Sequence, residues 1–478
     1  MSWVGELLAK YTWLRELLPI VGLLVVIVLV VHRLPRVDLG HSPAFLRRRF
    51  FNWFPVGLTY AFLYMARYNS NACIGLLFDK KQYFEIDSWG ALTYGLSFIL
   101  NGPLTDRLGG RKTTILAAVG AGAANVAIGV VAMRALGEGG RVPKEAWAGL
   151  VPTLSVLYAV NMYFQSFGAV SIVKVNAAWF HLRERGTFGG IFGILISLGL
   201  YFAFDWCSFI AKRTSVQWVF FVPAAILFVL AVVDFFLVRD TPHHAGHADF
   251  DLGDASSGDT GERLSVWTVA SMMLRNPAIV TIAIIEFCSG FLRNAIMKTY
   301  KPFAEETGRA AHDFVQGHWG MLNCVAGILG GVVAGLISDR FFSSRRGPMA
   351  AVLYAVMLAG SGVMALTLRS ASVGWVLLVM TLAIIGVHGM LSGTASMDFG
   401  GKRNVGIVVG VIDGFVYLGS TVGSRTLKSV LPSDAAAKDP GSWWTWPAAI
   451  APLALVGFVL ALRVWNARPA SSKSAAAH

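Results

Sequence analysis

Long apolar runs recur along the whole chain, and they constrain its fold more than any other feature. A helix needs roughly 20 mostly apolar residues to cross about 30 Å of hydrocarbon. Only 14% of the residues are charged, which is too few to cover the surface of a soluble protein of this length. The sequence therefore predicts an all-α polytopic membrane protein. The thirteen candidate spans are 17–33, 52–76, 88–105, 113–134, 150–175, 187–210, 216–238, 277–299, 318–338, 348–368, 373–396, 404–427 and 444–465.

The first run differs from the other twelve, because no polar residue stands between Pro19 and His32. We expect it to be an extra N-terminal transmembrane helix rather than a cleaved signal peptide. The other twelve spans divide six and six around a hydrophilic stretch. The predicted units are the extra helix with its connector, a six-helix bundle, a cytoplasmic linker, a second six-helix bundle and a tail, at 1–46, 47–238, 239–276, 277–466 and 467–478.

The chain shows no pattern typical of an enzyme or of a metal site. His243, His244 and His247 fall in the linker with no cysteine or rigid frame beside them, which favours a solvated linker over a metal site. The four cysteines stand inside apolar runs and form no CxxC pair. We find no phosphate-cradling Gly loop, nucleophile elbow or HExxH motif. We therefore expect no catalytic residue, no cofactor and no metal.

The distribution of Lys and Arg predicts how the chain sits in the membrane. Cytoplasmic loops of membrane proteins are enriched in these residues, and the basic cluster at 47–49 lies on the same side as the linker. We expect the linker and the C-terminus in the cytoplasm and the N-terminus outside, in a cell membrane such as the bacterial inner membrane. The net charge of +13 then reflects these loops and not nucleic-acid binding. We expect a monomer in the lipid bilayer.

One short motif occurs after the second core span and again after the eighth. Each copy has a Gly, an Asp-Arg pair four residues later and then a basic pair, starting at Gly102 and Gly335. This repeat indicates a duplication, and it resembles the signature loop of the major facilitator superfamily, whose fold is two six-helix bundles related by pseudo-twofold symmetry. We interpret its charges as gating residues, although simple topology anchoring is compatible with them. They are Asp106, Arg107, Arg111, Asp339 and Arg340.

Five ionisable residues stand deep in apolar runs, where a charge is costly and indicates a function: Arg67, Lys174, Glu286, Arg293 and Asp413. Arg67 and Arg293 lie at similar depth in equivalent spans of the two halves. Two guanidinium groups that converge on one point suit a phosphate, whose oxygens accept paired hydrogen bonds. The alternative is that each Arg pairs with a buried acid, with Glu286 or Asp413 as the counter-ion.

Aromatic residues accompany these charges at helical spacing. Tyr60 and Tyr64 share a helix face with Arg67. Tyr163 shares a face with Lys174 on the fourth core span. We expect these tyrosines to line the substrate pathway.

A narrower resemblance covers roughly residues 47–465. Four motifs resemble those of the organophosphate:phosphate antiporters, a family that includes glycerol-3-phosphate and hexose-6-phosphate transporters. The resemblance implies exchange of an organic phosphate for inorganic phosphate by alternating access, with Arg67 and Arg293 holding the phosphoryl group. It also implies substrate contacts from Lys174 and Tyr417. The motifs are Tyr-Met-Ala-Arg-Tyr-Asn at 64–69, Trp-Phe-His-Leu-Arg-Glu-Arg-Gly at 179–186, Phe-Leu-Arg-Asn at 291–294 and Gly-Lys-Arg-Asn-Val-Gly through Tyr-Leu-Gly at 401–419.

Three positions depart from that family's pattern. Tyr68 stands where members often have a second basic residue, and Ile196 stands where glycerol-3-phosphate members have a His. The symmetry-related position in the second half holds Asp413. These departures disfavour glycerol 3-phosphate itself. Asp413 is available to accept a proton, to bind sugar hydroxyls or to neutralise Lys174.

Two other functions remain as alternatives to phosphate exchange. The chain is also compatible with a proton-coupled exporter of drugs or small metabolites, in which Glu286 or Asp413 titrates. The second alternative is a membrane sensor of phosphorylated metabolites that retains the transporter fold. Uptake of phosphate without a pH gradient favours exchange, whereas binding without uptake favours the sensor.

Overall fold

A computed structural model of the chain describes residues 39–137, 140–181, 184–250, 274–309, 314–342 and 346–465, with isolated positions at 21, 25, 28, 29, 32, 268 and 271. Within these ranges the side chains of 185–190, 192, 278, 336, 339, 346 and 392–409 are not described. The predicted extra helix at 17–33, much of the linker and the tail at 467–478 therefore lie mostly or wholly outside the described residues.

The described chain is almost entirely helical, as the sequence predicts, and its strand-like content is a single bridge between Ile74 and Phe78. Short helical segments connect the longer ones, and α5 continues through a π-helix at Phe202–Trp206 into a helix at Cys207–Arg213. The long helices are α1 (Pro43–Tyr68), α2 (Lys80–Leu108), α3 (Gly110–Arg134), α4 (Lys144–Ala177), α5 (Arg185–Tyr201), α6 (Trp218–Leu237), α7 (Pro277–Glu306), α8 (Trp319–Phe342), α9 (Arg346–Thr367), α10 (Val373–Val430) and α11 (Thr445–Arg463).

Helix α10 contains two of the predicted spans, 373–396 and 404–427. Its first arm (373–391) runs antiparallel to α7 and its second arm (410–430) runs parallel to it, so the chain reverses direction between the arms. Both arms thus remain separate spans. The contacts that fix these directions pair Gly374 with Tyr300 and His388 with Glu286 in the first arm, and Val416 with Gly290 and Ser424 with Asn294 in the second.

Two helices begin earlier than their apolar runs predict, because their first turns are polar but well capped. The Ser42 side chain accepts a hydrogen bond from the backbone N–H of Phe45, with Pro43 in the first turn of α1. Asp79 and Gln82 form a capping box at the start of α2. Hydropathy therefore predicts where the apolar part of a helix starts, whereas the capping residues mark the first residue of the helix itself.

Helices α1–α6 form one bundle and α7–α11 form the other. The bundles meet where α2 packs on the second arm of α10 and where α5 packs on α8. At the first contact a Cβ added to Gly95 would lie 3.0 Å from the Gly414 carbonyl oxygen, so glycine lets the two backbones approach closely. We call the end of the molecule that holds Leu237 and Pro277 the linker end, and the end that holds Glu306 the far end.

Nine helices in the described part of the chain are long and apolar enough to cross a membrane. Helices α1 and α2 are not among the nine, because their polar residues lower the mean hydropathy. Both contribute residues to the central cavity described below, together with α4, α7 and the second arm of α10.

Candidate functional site

Arg67 lies in the last turn of α1, where it is 1% exposed. Its Nε donates to Gln165 at 2.8 Å, its Nη1 to the Tyr417 hydroxyl at 2.5 Å and its Nη2 to the Tyr94 hydroxyl at 3.1 Å. The guanidinium also lies 4.5 Å from the ring centroid of Tyr64. All of these partners are neutral, so they orient the charge without neutralising it.

Arg293 lies on α7 in the other bundle and is 9% exposed. Its guanidinium lies 5.5 Å from the ring centroid of Tyr417, the same tyrosine that binds Arg67. Its Nη2 is buried without a hydrogen-bond partner among the described residues. A buried guanidinium N–H without a partner is costly, so this nitrogen is available to a ligand.

Both guanidinium groups line one cavity between the bundles, with a volume of about 10 Å³. This volume accommodates about one water molecule, so the chain is closed around the site and must open to admit any larger molecule. The charged lining residues are three cations and one carboxylate, an excess of two positive charges. They are Arg67, Arg293, Lys298 and Asp87. A phosphate monoester carries about two negative charges at pH 7 and matches this excess.

Asp87 and Lys298 form a buried ion pair that sequence analysis did not identify. The Lys298 Nζ lies 2.7 and 2.8 Å from the two carboxylate oxygens of Asp87, across the two bundles. The Ser424 hydroxyl donates to Asp87 at 2.6 Å, and Tyr68 lies 5.1 Å from the ammonium. Asp87 stands before the apolar run of α2, and it lies 211 residues from Lys298, so neither hydropathy nor spacing connects them.

The structure places two of the predicted tyrosines beside Arg67 and one elsewhere. Tyr60 and Tyr64 are buried in contact, with ring centroids 5.3 Å apart. Tyr163 packs against Phe164 and Phe167 instead, and none of the three tyrosines is among the residues that line the cavity. In this conformation the Tyr163 side chain therefore packs against neighbouring aromatic rings and not in the substrate pathway predicted for it.

Lys174 also lies away from the central cavity. Its Nζ pairs with Asp106 at 2.6 Å near the linker end, and its side chain is 42% exposed. The expected substrate contact is thus replaced in this conformation by a contact with a predicted gating residue. Hydrogen bonding to Asp106 holds the ends of α2 and α4 together.

Glu286, one of the other deep acids, is not ion-paired to either arginine among the described side chains. Glu286 is fully buried, and its Oε2 lies 3.4 Å from His388 Nδ1. Sequence analysis did not identify this partner, which stands in the first arm of α10. Asp413 is half-buried, one helical turn before Tyr417. The alternative in which Glu286 is the counter-ion of Arg293 is therefore not observed among the described side chains.

The first copy of the repeated motif forms a compact corner at the linker end. Gly109 alone separates α2 from α3, with φ at 88°, a conformation that favours glycine. Asp240 accepts a hydrogen bond from the backbone N–H of Arg111 at 2.8 Å. Arg107 and Arg340 are exposed, and the side chain of Asp339 lies outside the described residues. The gating role of these residues stays a prediction.

Comparison with known proteins identifies the relatives of this chain. It is 28% identical over 57% of its length to the glycerol-3-phosphate transporter of Bacillus subtilis, of which the match spans 63%. It is 23% identical to a probable hexose phosphate transport protein of Chlamydia pneumoniae, over 84% of this chain and 86% of that protein. It is also 23% identical to the membrane sensor protein UhpC of Salmonella typhimurium, over 85% and 88% of the two chains.

The fold and the sequence profile agree on the family. The structure of the xylose transporter XylE from E. coli in a partially occluded inward-open conformation superposes with a TM-score of 0.60 at 14% identity, over 90% of this chain and 98% of that one. The profile described as Major Facilitator Superfamily matches residues 49–424. The predicted fold, with its two six-helix bundles, is thereby confirmed. This multi-pass membrane protein belongs to the Major Facilitator Superfamily, a family of transporters and not of enzymes.

Proposed function

We propose that this chain exchanges an organic phosphate ester, of the sugar-phosphate or glycerol-phosphate type, for inorganic phosphate by alternating access. The phosphoryl group would lie between Arg67 and Arg293, one from each bundle. The linker end would face the cytoplasm of a bacterial cell and Met1 would lie outside, with the protein acting as a monomer. Binding to both bundles at once would lower the free-energy cost of moving one against the other.

The observation that carries this proposal is the Nη2 of Arg293, which is buried without a hydrogen-bond partner among the described residues, on a side chain that lines the positively charged cavity. Arg67 complements it, because its three neutral partners leave its charge uncompensated. The names of the relatives from Bacillus subtilis and Chlamydia pneumoniae support a phosphorylated substrate. Asp87, Asn294 and Ser420 line the same cavity and are available to the hydroxyl groups of the organic part.

Exchange in proteoliposomes tests the proposal. Vesicles loaded with inorganic phosphate should take up labelled phosphate without a pH gradient. We expect Arg67→Lys and Arg293→Lys each to reduce exchange more than about tenfold, because an ammonium cannot reproduce the planar fork of a guanidinium. Arg141→Lys, at an exposed position, is the matched control.

Folding is checked by the melting temperature and by elution as a single species. Exchange at the wild-type rate in a folded Arg67→Lys or Arg293→Lys protein would refute the proposal. Uptake that requires a pH gradient and ignores phosphate would favour the proton-coupled exporter.

A sensor of phosphorylated metabolites is the second candidate function. The relative named as a membrane sensor protein covers most of this chain, and the same two arginines would hold the ligand. The two functions differ in whether the bound ligand is carried across the membrane. Thermal stabilisation by a hexose phosphate together with no exchange in vesicles would favour the sensor.

A further inference from the structure

A second basic cavity lies at the linker end, far from the central one. Its volume is about 400 Å³, and Arg48, Arg239 and His244 line it together with Phe51 and Phe236. No carboxylate is among its described lining residues. Two guanidinium groups in one cavity without an acid repel each other, and an anion would remove that repulsion.

Arg48 is only partly satisfied in this cavity. Its Nη2 donates to the Leu237 carbonyl at 2.8 Å, and the guanidinium lies 5.5 Å from the Trp179 ring centroid. Its Nη1 is buried without a hydrogen-bond partner among the described residues. The Nη1 of Arg239 donates a hydrogen bond to the Val238 carbonyl at 2.8 Å. Each guanidinium therefore keeps N–H groups for a ligand.

The position of the cavity indicates what kind of anion reaches it. Helix α6 has 20 residues and ends at Leu237, so at 1.5 Å per residue it spans about the 30 Å of the hydrocarbon layer. The cavity therefore lies at the membrane surface. Phe51 is 43% exposed and Phe236 is 66% exposed, which gives the cavity an apolar rim on the lipid side.

We propose that this cavity binds an anionic phospholipid, with the phosphodiester on Arg48 and Arg239 and the acyl chains along Phe51 and Phe236. Basic pockets between transmembrane helices suit anionic headgroups. A zwitterionic lipid matches less well, because its own cation would enter a cavity that already holds two. The site is independent of the central cavity, and His244 of the linker lines its edge.

Native mass spectrometry of the delipidated full-length protein tests this site. Phosphatidylglycerol and phosphatidylethanolamine are added separately at equal concentration, and bound lipids are counted. We expect one phosphatidylglycerol to bind at least about fivefold better than phosphatidylethanolamine. Arg48→Gln should remove this preference and can still donate to the Leu237 carbonyl. Arg47→Gln removes the same charge from an exposed neighbour on the same helix and should keep the preference.

Three results would overturn the proposal. They are equal binding of the two lipids, an unchanged preference in Arg48→Gln, and displacement of phosphatidylglycerol by millimolar inorganic phosphate, which would indicate a site for soluble anions. If Arg48→Gln does not fold, Arg239→Gln provides the same test, because Arg239 lines the same cavity.

Discussion

Gln165 determines how Arg67 is presented to the central cavity. It accepts from Nε, while Tyr94 and Tyr417 occupy one N–H on each terminal nitrogen. Gln165 is itself fully buried and donates to Asn161 at 3.2 Å, so α4 fixes the plane of the guanidinium. This arrangement is a positioning device, because Gln165 is not among the residues that line the cavity.

We predict that Gln165→Leu weakens binding of inorganic phosphate by about tenfold. Loss of a hydrogen bond to a charged group corresponds to about 1.5 kcal/mol or more, and a mobile guanidinium also loses its orientation. Titration calorimetry on the purified protein measures this change. Gln217→Leu is the control, since it removes a buried amide oxygen that has no hydrogen-bond partner within the described part of the chain. Equal phosphate affinity in Gln165→Leu and wild type would show that Tyr94 and Tyr417 alone are enough to orient Arg67.

Sequence reasoning identified the two arginines because an isolated charge inside an apolar run is conspicuous. It did not identify Asp87, which stands near Lys80, Lys81 and Glu85 in a segment that reads as a polar loop. Nor did it identify His388 as the partner of Glu286, which lies 102 residues away along the chain. Partners of this kind come from distant parts of the chain, and only the packing of the helices shows which charge meets which.

Helix α7 and the second arm of α10 are held in backbone contact by two glycines. A Cβ on Gly290 would lie 1.7 Å from the Val416 carbonyl oxygen, and one on Gly419 would lie 1.9 Å from that of Phe287. Such contacts are typical of helix pairs in membranes, where small residues permit close packing. They also set the distance between Arg293 and Tyr417, which stand on these two helices.

We predict that Gly290→Ala lowers the stability of the protein by about 1–3 kcal/mol, because the added methyl group has no space. The melting temperature in detergent should fall and phosphate exchange should fall with it. Gly331→Ala in α8 is the matched control, because no described atom of a neighbouring element lies within 4 Å of its added Cβ, and alanine stabilises a helix interior. A melting temperature for Gly290→Ala equal to that of Gly331→Ala would contradict the prediction.

The number and order of the core spans could be read from the sequence, whereas their ends could not. The apolar run at 216–238 nearly coincides with α6, a helix without charged residues before Asp234. The run at 88–105 misses the first turns of α2, which hold four of its six charged residues. The π-helix at Phe202–Trp206 left no signal in the hydrophobic pattern. Its Asp205 accepts hydrogen bonds from the backbone N–H groups of Gly320 and Met321, at 2.7 and 2.9 Å, across the bundles.

At the scale of the whole molecule, polar contacts join the two bundles at the far end. Asp205 caps α8, and Lys298 pairs with Asp87. Lys428 pairs with Glu85 at 2.8 Å. At the linker end the Lys174–Asp106 and Arg49–Glu184 pairs each join helices of one bundle. The structure is therefore closed at the far end, and opening that end requires these cross-bundle contacts to break.

We predict that Asp87→Asn shifts the protein toward a state open at the far end. Removal of one partner from a buried ion pair costs about 3–5 kcal/mol, here only in the closed state, because Lys298 regains water when the bundles separate. A shift of about 1.4 kcal/mol already changes the ratio of the two states tenfold. Spin labels are attached at Leu76→Cys and Trp444→Cys, which are exposed positions on opposite bundles. Double electron–electron resonance should then measure a longer distance between the two labels in Asp87→Asn than in the wild type.

Two further variants separate opening of the far end from general destabilisation. Asp439→Asn breaks an exposed pair with Arg369 within one bundle, where the side chains are 50% and 74% exposed, and it should leave the distances unchanged. Lys428→Gln breaks the exposed cross-bundle pair and should shift them only slightly, since such pairs contribute about 0–1 kcal/mol. The increase in the spin-label distance should therefore be largest in Asp87→Asn, small in Lys428→Gln and absent in Asp439→Asn. Wild-type distances in a folded Asp87→Asn protein would show that the buried pair does not hold the bundles together, and that closure depends on helix packing and on the other cross-bundle contacts, which include the Asp205 cap and the Lys80–Glu306 pair.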